Sequence, residues 1–371
     1  MTPMTNTVLV AGASGLVGSA AVDAFLSAGW SVIAVSRRRP EVFSDRPFQH
    51  LAVDLQNADE SSSAFSTLRE VTHVVYAAVH EMPGLIAGWQ DPDQMSTNLR
   101  MITHLMEPLT RHARVKHLTL LQGTKAYGAH IHPIRIPARE RFPRDDHPNS
   151  YWFQEDYIRD KAAATGFGWT IFRPTIVVGP NVGVAMNTIP VIGVFAALCR
   201  ELGEAFSYPG HIAYPREAVD VRLIGQACVW AADNPQVWNE HFNLTNGEVF
   251  SWKDLWPSLA EHLKVDLGPD RPLRLAEYLP AQSAVWERIV DEHGLRKMPL
   301  ESLLGESHHS ADSRFGFGLS AAPAPTFVST VKIKRAGFNQ VYDTESCVKH
   351  WLSVLVERKI LPDPARHTRR Q

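Results

Sequence analysis

The chain holds only three cysteines, Cys199, Cys228 and Cys347, spaced too widely for a metal or redox motif. Buried thiols in a reducing compartment are the expectation. No apolar run approaches the length that crosses a bilayer. The opening "MTPMTN" lacks the basic region and apolar core of a secretory signal. These absences point to a cytoplasmic protein with no membrane partner. An excess of charge of one sign is also missing: net charge is −2 and pI near 6.8, so nucleic acid is not an expected partner. Histidine pairs occur at His130/His132 and His308/His309, but neither has the helical His-x-x-x-His spacing or a cysteine beside it. No metal site is expected. No internal repeat is present.

What is there is a globular chain, 371 residues long with 44% hydrophobic and 20% charged residues, which exceeds one typical domain. The first half alternates short apolar strands with helices. "TVLVAG" (7–12), "WSVIAVS" (30–36), "FQHLAVDL" (48–55), "THVVYAA" (72–78), "VKHLTLLQG" (115–123) and "GWTIFRP" (168–174) read as strands, and 93–112 as an amphipathic helix. Runs this apolar are buried on both faces of a parallel sheet. After Gly179 helices dominate: 186–202, 219–232, 251–263, 283–295 and 344–359, with one late strand at 240–246. The fold class is therefore α/β, a Rossmann-type doubly wound parallel sheet with a smaller, mainly helical C-terminal cap. The expected division is a dinucleotide-binding domain over 1–180, with a return segment at about 211–246, and a substrate-binding cap over 181–210 and 247–371. The C-terminal amphipathic helices suit either cap core or a homodimer face.

"AGASGLVGSA" (11–20) carries Gly12, Gly15 and Gly18 directly after the first strand and at the head of the first helix. Small residues there let the backbone approach a pyrophosphate, and the helix N-terminus supplies amides and a positive dipole end. Ser14, Leu16 and Val17 complete that turn. The second strand then ends in Ser36-Arg37-Arg38-Arg39, with no carboxylate before Glu41 to hold ribose hydroxyls. Arginine forks match a phosphate, so NADPH is the expected cofactor. Asp54 is expected beside the adenine amino group and Leu55 against its ring. Ala77 and Ala78, ending the fourth strand, and Pro174 and Val177, after the sixth, line the rest of the cofactor path.

A catalytic helix of the short-chain reductase kind normally sets a tyrosine one turn before a lysine. In "NSYWFQEDYIRD" (149–160) Tyr151 is instead followed at that spacing by Glu155, and Lys161 lies ten residues on. A lysine does stand in "LLQGTKAYG" (120–128), where Lys125 follows the fifth strand. Ligands of doubly wound sheets sit outside the carboxyl ends of the strands, which puts Lys125 on the same side as Tyr151.

"LLQGTKAYG", "NSYWFQED" and "RPTIVVG", continued by "NEHFNLTNGEVFSWKDLWPSLAEHL" (239–263) and "AVWERIVDEHGL" (284–295), resemble the progesterone 5β-reductase/iridoid synthase family. These are atypical members of the short-chain dehydrogenase superfamily, and the resemblance covers most of the chain. It implies a catalytic pair of Lys125, from a G-x-K motif, and Tyr151, from an N-F-Y-Y-x-x-E-D motif. It also makes the glutamate part of the motif. Two departures stand out: Ser150 replaces the motif's phenylalanine, and Trp152 its second tyrosine. At the position six residues beyond the lysine, where the family often has phenylalanine, this chain has Ile131.

The resemblance implies 1,4-reduction of an enone or enal, with hydride delivered to the β-carbon and the enolate oxygen held by Tyr151. A neighbouring ammonium from Lys125 is expected to lower the tyrosine pKa. The substrate is expected to be a small, apolar, carbonyl-containing molecule, with Tyr127, Trp152, Phe153, Met186 and Tyr214 as candidate walls and Ile189 and Phe195 behind them. Each of these would serve equally well as ordinary core. Two other readings stay open: an NADPH-dependent carbonyl reductase, and a regulator that senses NADPH without turnover.

Overall fold

The computed structural model describes residues 6–82, 89 and 91–365. In chain order β1 (Thr7–Ala11) runs into α1 (Leu16–Ser27), then β2 (Ser31–Val35), β3 (Gln49–Leu51), α2 (Ala58–Phe65) and β4 (His73–Tyr76). Next come α3 (Pro92–His112), β5 (His117–Leu121), α4 (Ser150–Thr165), β6 (Gly168–Pro174) and β7 (Ile176–Val178). They lead to α5 (Thr188–Leu202), β8 (Ala218–Asp220), α6 (Val221–Ala232) and β9 (Glu240–Leu244). The remainder is helical: α7 (Trp252–Leu263), α8 (Leu275–Ala281), α9 (Ser283–His293), α10 (Leu300–Leu304), α11 (Ser307–Phe315), α12 (Val331–Arg335) and α13 (Thr344–Glu357).

The chain divides into two compact units. One comprises Met1–Thr175, Val221–Thr245 and Thr326–Val341; the other comprises Ile176–Asp220, Asn246–Pro325 and Tyr342–Gln371. The segment 326–341, which composition assigns to the cap, belongs to the first unit. There Val328 bridges Ala138, and the Lys332 ammonium donates to Glu240 at 2.6 Å on the rim of β9.

The first unit is built on a seven-stranded sheet of order β3-β2-β1-β4-β5-β6-β9, parallel throughout. The fold class read from the sequence is correct. β1 and β4 are buried along their whole length, as sheets covered on both faces require. On one face Ile102, Leu105 and Leu109 of α3 and Ile158 of α4 join Leu9, Val74 and Leu118 in one apolar core. Each such side chain contributes roughly 1.5–3 kcal/mol of burial. On the other face α1 packs on α6, and a Cβ at Gly225 would stand 2.6 Å from the Ala20 carbonyl, so only glycine allows that approach.

Helix ends follow their caps. Asp91 accepts from the amides of Asp93 and Gln94 to start α3, with Pro92 at its first position. Asn149 caps α4, and left-handed Gly166 closes it. α4 is unusual in what it buries: Ser150, Gln154 and Glu155 share the inward stripe with Ile158 and Ala162. A helix that turns polar groups inward near its N-terminus is organised for something other than packing alone.

In the second unit β7 pairs with β8, a short parallel ladder too brief to be read from periodicity. Its core is aromatic, with Phe206 stacked on Trp256 at 4.5 Å and Phe315 edge-on to the same indole. Among the described residues no helix is long and apolar enough to cross a membrane.

Candidate active site

The strand order reverses between β1 and β4, the place where doubly wound sheets open a crevice. The glycines are fixed there by sterics. Gly12 takes a φ of +78°, and a Cβ on it would lie 2.6 Å from the Ala78 nitrogen; one on Gly18 would lie 2.1 Å from the Gly12 carbonyl. Gly15 is the N-cap of α1 and offers no capping side chain. A larger residue in this turn would fill the space, and the helix end keeps its dipole directed at the crevice. Ala77 is hydrogen-bonded through its amide to Ala11, so the ends of the two strands meet at this point. The cradle fits a dinucleotide's pyrophosphate.

The turn after β2 sorts the three arginines. Ser36 donates its hydroxyl to the Arg38 carbonyl at 2.6 Å, tightening the turn. Arg39 is stacked over Phe48 with its guanidinium 4.5 Å from the ring centre, whereas Arg37 and Arg38 stand exposed. Asp54 accepts from the Gln56 amide, which shapes its turn, and Leu55 is buried beside it.

Tyr151 and Lys125 converge through three local features. Gly123 ends β5 in an extended conformation, and a Cβ there would sit 3.3 Å from the Tyr151 hydroxyl. The chain then turns through a short 3-10 segment, Thr124–Tyr127, which carries Lys125. Asn149 ties the two together: its Oδ1 accepts from the Tyr151 amide at 3.0 Å, and its Nδ2 donates to the Lys125 carbonyl at 3.1 Å. Lys161, by contrast, is paired with Glu107 at 2.8 Å.

Trp89 joins the group, a residue the sequence reading did not single out. The Lys125 ammonium lies 3.4 Å from the centre of a Trp89 ring, and the same indole meets Tyr151 edge-on at 5.3 Å. The tyrosine pKa differs from expectation. Burial drives it up, and Glu81 adds to that; Arg173 opposes both without prevailing. Tyr151 is therefore a neutral hydroxyl, a donor rather than a tyrosinate. Glu81 itself is pushed up by burial, against the pull of Lys125.

Glu155, at the spacing where a lysine was absent, is the hub of a buried polar network. Its carboxylate accepts from Gln122 at 2.9 Å, lies 3.0 Å from His241 Nε2, and pairs with Arg144 at 3.0 Å and Arg159 at 2.9 Å. Gln122 in turn accepts from Arg173, so β5, β6, β9 and α4 are joined at one point. Burial would raise the Glu155 pKa, but the His241 hydrogen bond and charge, with Gln122 and Arg144, hold it far below the usual carboxylate range.

The candidate substrate residues separate. Tyr127 is buried with its hydroxyl donating to Asn243 at 2.7 Å and Arg173 over its ring. Trp152 is partly exposed beneath Arg144, and Phe153 is exposed, both on the first turn of α4. Met186 is partly exposed in the second unit. Tyr214, in that unit, donates to the carbonyls of Ser313 and Arg314, while Ile189 and Phe195 lie wholly within its core. Pro174 is buried at the end of β6, and Val177 lies on β7. No group of three or more metal-ligating side chains occurs among the described residues.

A glycine-lined crevice at the switch point of a parallel sheet, beside a buried tyrosine and a lysine, defines an NAD(P)-dependent oxidoreductase of the extended short-chain type. The model of the NAD dependent epimerase/dehydratase family matches residues 8–245, and the chain belongs to that family. Among curated relatives, an (S)-8-oxocitronellyl enol synthase of Nepeta cataria is 27% identical over 95% of this chain and 91% of its own. One of Catharanthus roseus is 27% identical over 92% and 89%. These relatives bear out the resemblance to the progesterone 5β-reductase/iridoid synthase group. Among solved structures, a UDP-glucose 4-epimerase of Thermotoga maritima shares the fold with a TM-score of 0.67 at 19% identity, covering 95% of this chain and 99% of its own. One of Thermus thermophilus, in complex with NAD, gives 0.64 at 18% identity over 94% and 98%. The chain is an enzyme acting on a small molecule, an NAD(P)-dependent reductase by its relatives and family.

Proposed function

We propose that this enzyme is an NADPH-dependent reductase of activated alkenes, carrying out 1,4-reduction of small apolar enones or enals. The observation that carries the reading is the replacement of the Tyr-x-x-x-Lys helix by two strand-end elements. Tyr151 brings its hydroxyl against Gly123, and Lys125 is tied to the same helix N-terminus by Asn149. Bound in the crevice, NADPH supplies a hydride. Tyr151, kept neutral by burial, donates a hydrogen bond to the carbonyl oxygen on which negative charge develops. A preorganised donor of this kind contributes roughly 3–4 kcal/mol to the barrier. Lys125 adds positive charge beside the same oxygen and supplies donors for the nicotinamide ribose.

With the oxygen anchored at Tyr151, conjugation moves the electrophilic carbon two atoms further out. A saturated ketone held by the same oxygen would present its carbon at a different depth, and near-attack geometry tolerates little displacement. The test is to reduce 2-cyclohexenone with 4-deuterated NADPH. Deuterium on the β-carbon of a saturated ketone is the expected product; an allylic alcohol labelled at the carbinol carbon would make the enzyme a carbonyl reductase.

NADPH is favoured over NADH by Arg37 and Arg38, which are exposed at the end of β2 while Arg39 is occupied by Phe48. Arg37→Glu should raise the KM for NADPH by on the order of tenfold to a hundredfold, the loss of one charge-assisted bond, and leave NADH little changed. Equal use of both cofactors by the unaltered enzyme would remove this assignment.

A further inference from the structure

A donor at the oxygen ends the reaction at an enol or enolate, and the saturated product needs one more proton, at the α-carbon. The site holds a second acid that the sequence motifs do not mark. Glu81 follows β4 at the crevice end of the sheet, and its Oε1 is buried with no hydrogen-bond partner among the described residues. Such a group costs about 1–3 kcal/mol to keep, so a purely structural role is a poor account of it.

The backbone around it is fixed from both sides by buried side chains of α3. Asn98 accepts from the His80 amide at 2.9 Å and donates to the His80 carbonyl at 2.8 Å, and Gln94 accepts from the Met82 amide at 2.7 Å. Glu81 is thus carried on a preorganised loop. Its charge is felt by both members of the catalytic pair, raising the pKa of Tyr151 and being itself countered by Lys125. Trp89 packs against both Lys125 and Tyr151, giving the enclosure an apolar wall. Burial favours the carboxylic acid over the carboxylate, as a proton donor requires.

We propose that Glu81 is the acid that completes the reduction, giving its proton to the α-carbon while Tyr151 keeps the oxygen. The inference rests on the ene-reductase reading. The hydride forms the new C–H bond at the β-carbon, and the alkene's electron pair becomes the enolate. That pair then takes the Glu81 proton to form the C–H bond at the α-carbon, and the carbonyl is restored. Glu81 is left as a carboxylate and regains a proton from solvent, so one enone, one NADPH and one proton give one saturated carbonyl compound and NADP⁺.

The test uses 2-methylcyclohex-2-enone, whose α-carbon becomes a stereocentre, with 4-deuterated NADPH and the full-length enzyme. The unaltered enzyme should give a β-deuterated ketone with one α-configuration. Glu81→Gln, an isosteric change, should retain NADPH binding by fluorescence and still place deuterium at the β-carbon. Its turnover should fall on the order of a hundredfold, and the α-carbon should become racemic as enol escapes to solvent. Glu81→Asp covers the case in which the glutamine variant fails to fold; it should be slower but keep the configuration. Unchanged rate and enantiomeric purity in Glu81→Gln, or in Glu81→Asp if that alone folds, would overturn the proposal. Absence of β-deuterium with the unaltered enzyme would overturn the ene-reductase reading itself and this inference with it.

Discussion

Lys125 and Lys161 pose the sharpest question at the scale of single residues. Lys161 lies about 15 Å along the helix from Tyr151 at ordinary rise. Its ammonium is held by Glu107, which also accepts from the Tyr157 hydroxyl. Lys125 instead packs on the indole that touches Tyr151. Lys125→Ala should therefore lower kcat/KM by on the order of a hundredfold or more, the scale of an oxygen-stabilising contact. Lys161→Ala should leave turnover unchanged and cost no more than about 1 kcal/mol of stability. Steady-state kinetics with both variants checks the ranking, and the reverse order would return the catalytic lysine to the helix. The positions of Tyr151, Lys125 and the glycines were legible because each sits at a fixed offset from a strand end. Trp89 and Glu81 were not, since they lie after β4 in a stretch with no periodicity, where only three-dimensional contact gives them meaning. Asn149 could have been read: an asparagine just before a helix is an N-cap signal, and here the cap also holds Lys125.

At the scale of elements, apolar strands and their crossover helices were readable nearly end to end, because burial on both faces leaves little choice of residue. What periodicity missed is short or polar: the β7–β8 ladder of three residues a strand, α10 and α12 of five residues each, and the polar stripe of α4. Glu155 explains that stripe. It pins α4 to β5, β6 and β9 by charge rather than by packing, and so sets the angle at which Tyr151 reaches Gly123. Glu155→Ala would leave Arg173 buried with its nearest carboxylate gone, together with a stranded Gln122 and His241. Removing one partner of a buried ion network costs roughly 3–5 kcal/mol. The expected result is a melting temperature lowered by several degrees, with turnover reduced in the fraction that stays folded. Glu155→Gln, which keeps an acceptor for Gln122, should lose less. A silent Glu155→Ala would show that apolar packing alone holds the helix.

At the scale of the whole molecule, the pH dependence of stability follows from which buried groups gain protons first. His73 and His117 face each other in the sheet at 6.3 Å, His73 against Trp30 and His117 stacked on Trp238 and paired with Thr170. Burial, with Lys116 nearby, takes His73 down to about 4; burial, with His73 itself, takes His117 down to about 3. Both pKa values lie below that of the unfolded chain, 6.5, so the unfolded state takes up protons first as pH falls. Stability should thus be full above that value, decline as pH drops through it, and go on declining towards pH 4. By about pH 5 each histidine should have removed on the order of 2 kcal/mol. Glu155 acts in the same direction but later. Its folded pKa is depressed from 4.5, so its contribution is present above that value and fades only as pH falls further. The interval between pH 6.5 and 5 therefore isolates the histidines. Denaturant midpoints measured across it should fall steadily for the unaltered enzyme and about half as steeply for His117→Gln, whose amide can still meet Thr170. An equal slope in both would assign the acid sensitivity to other groups.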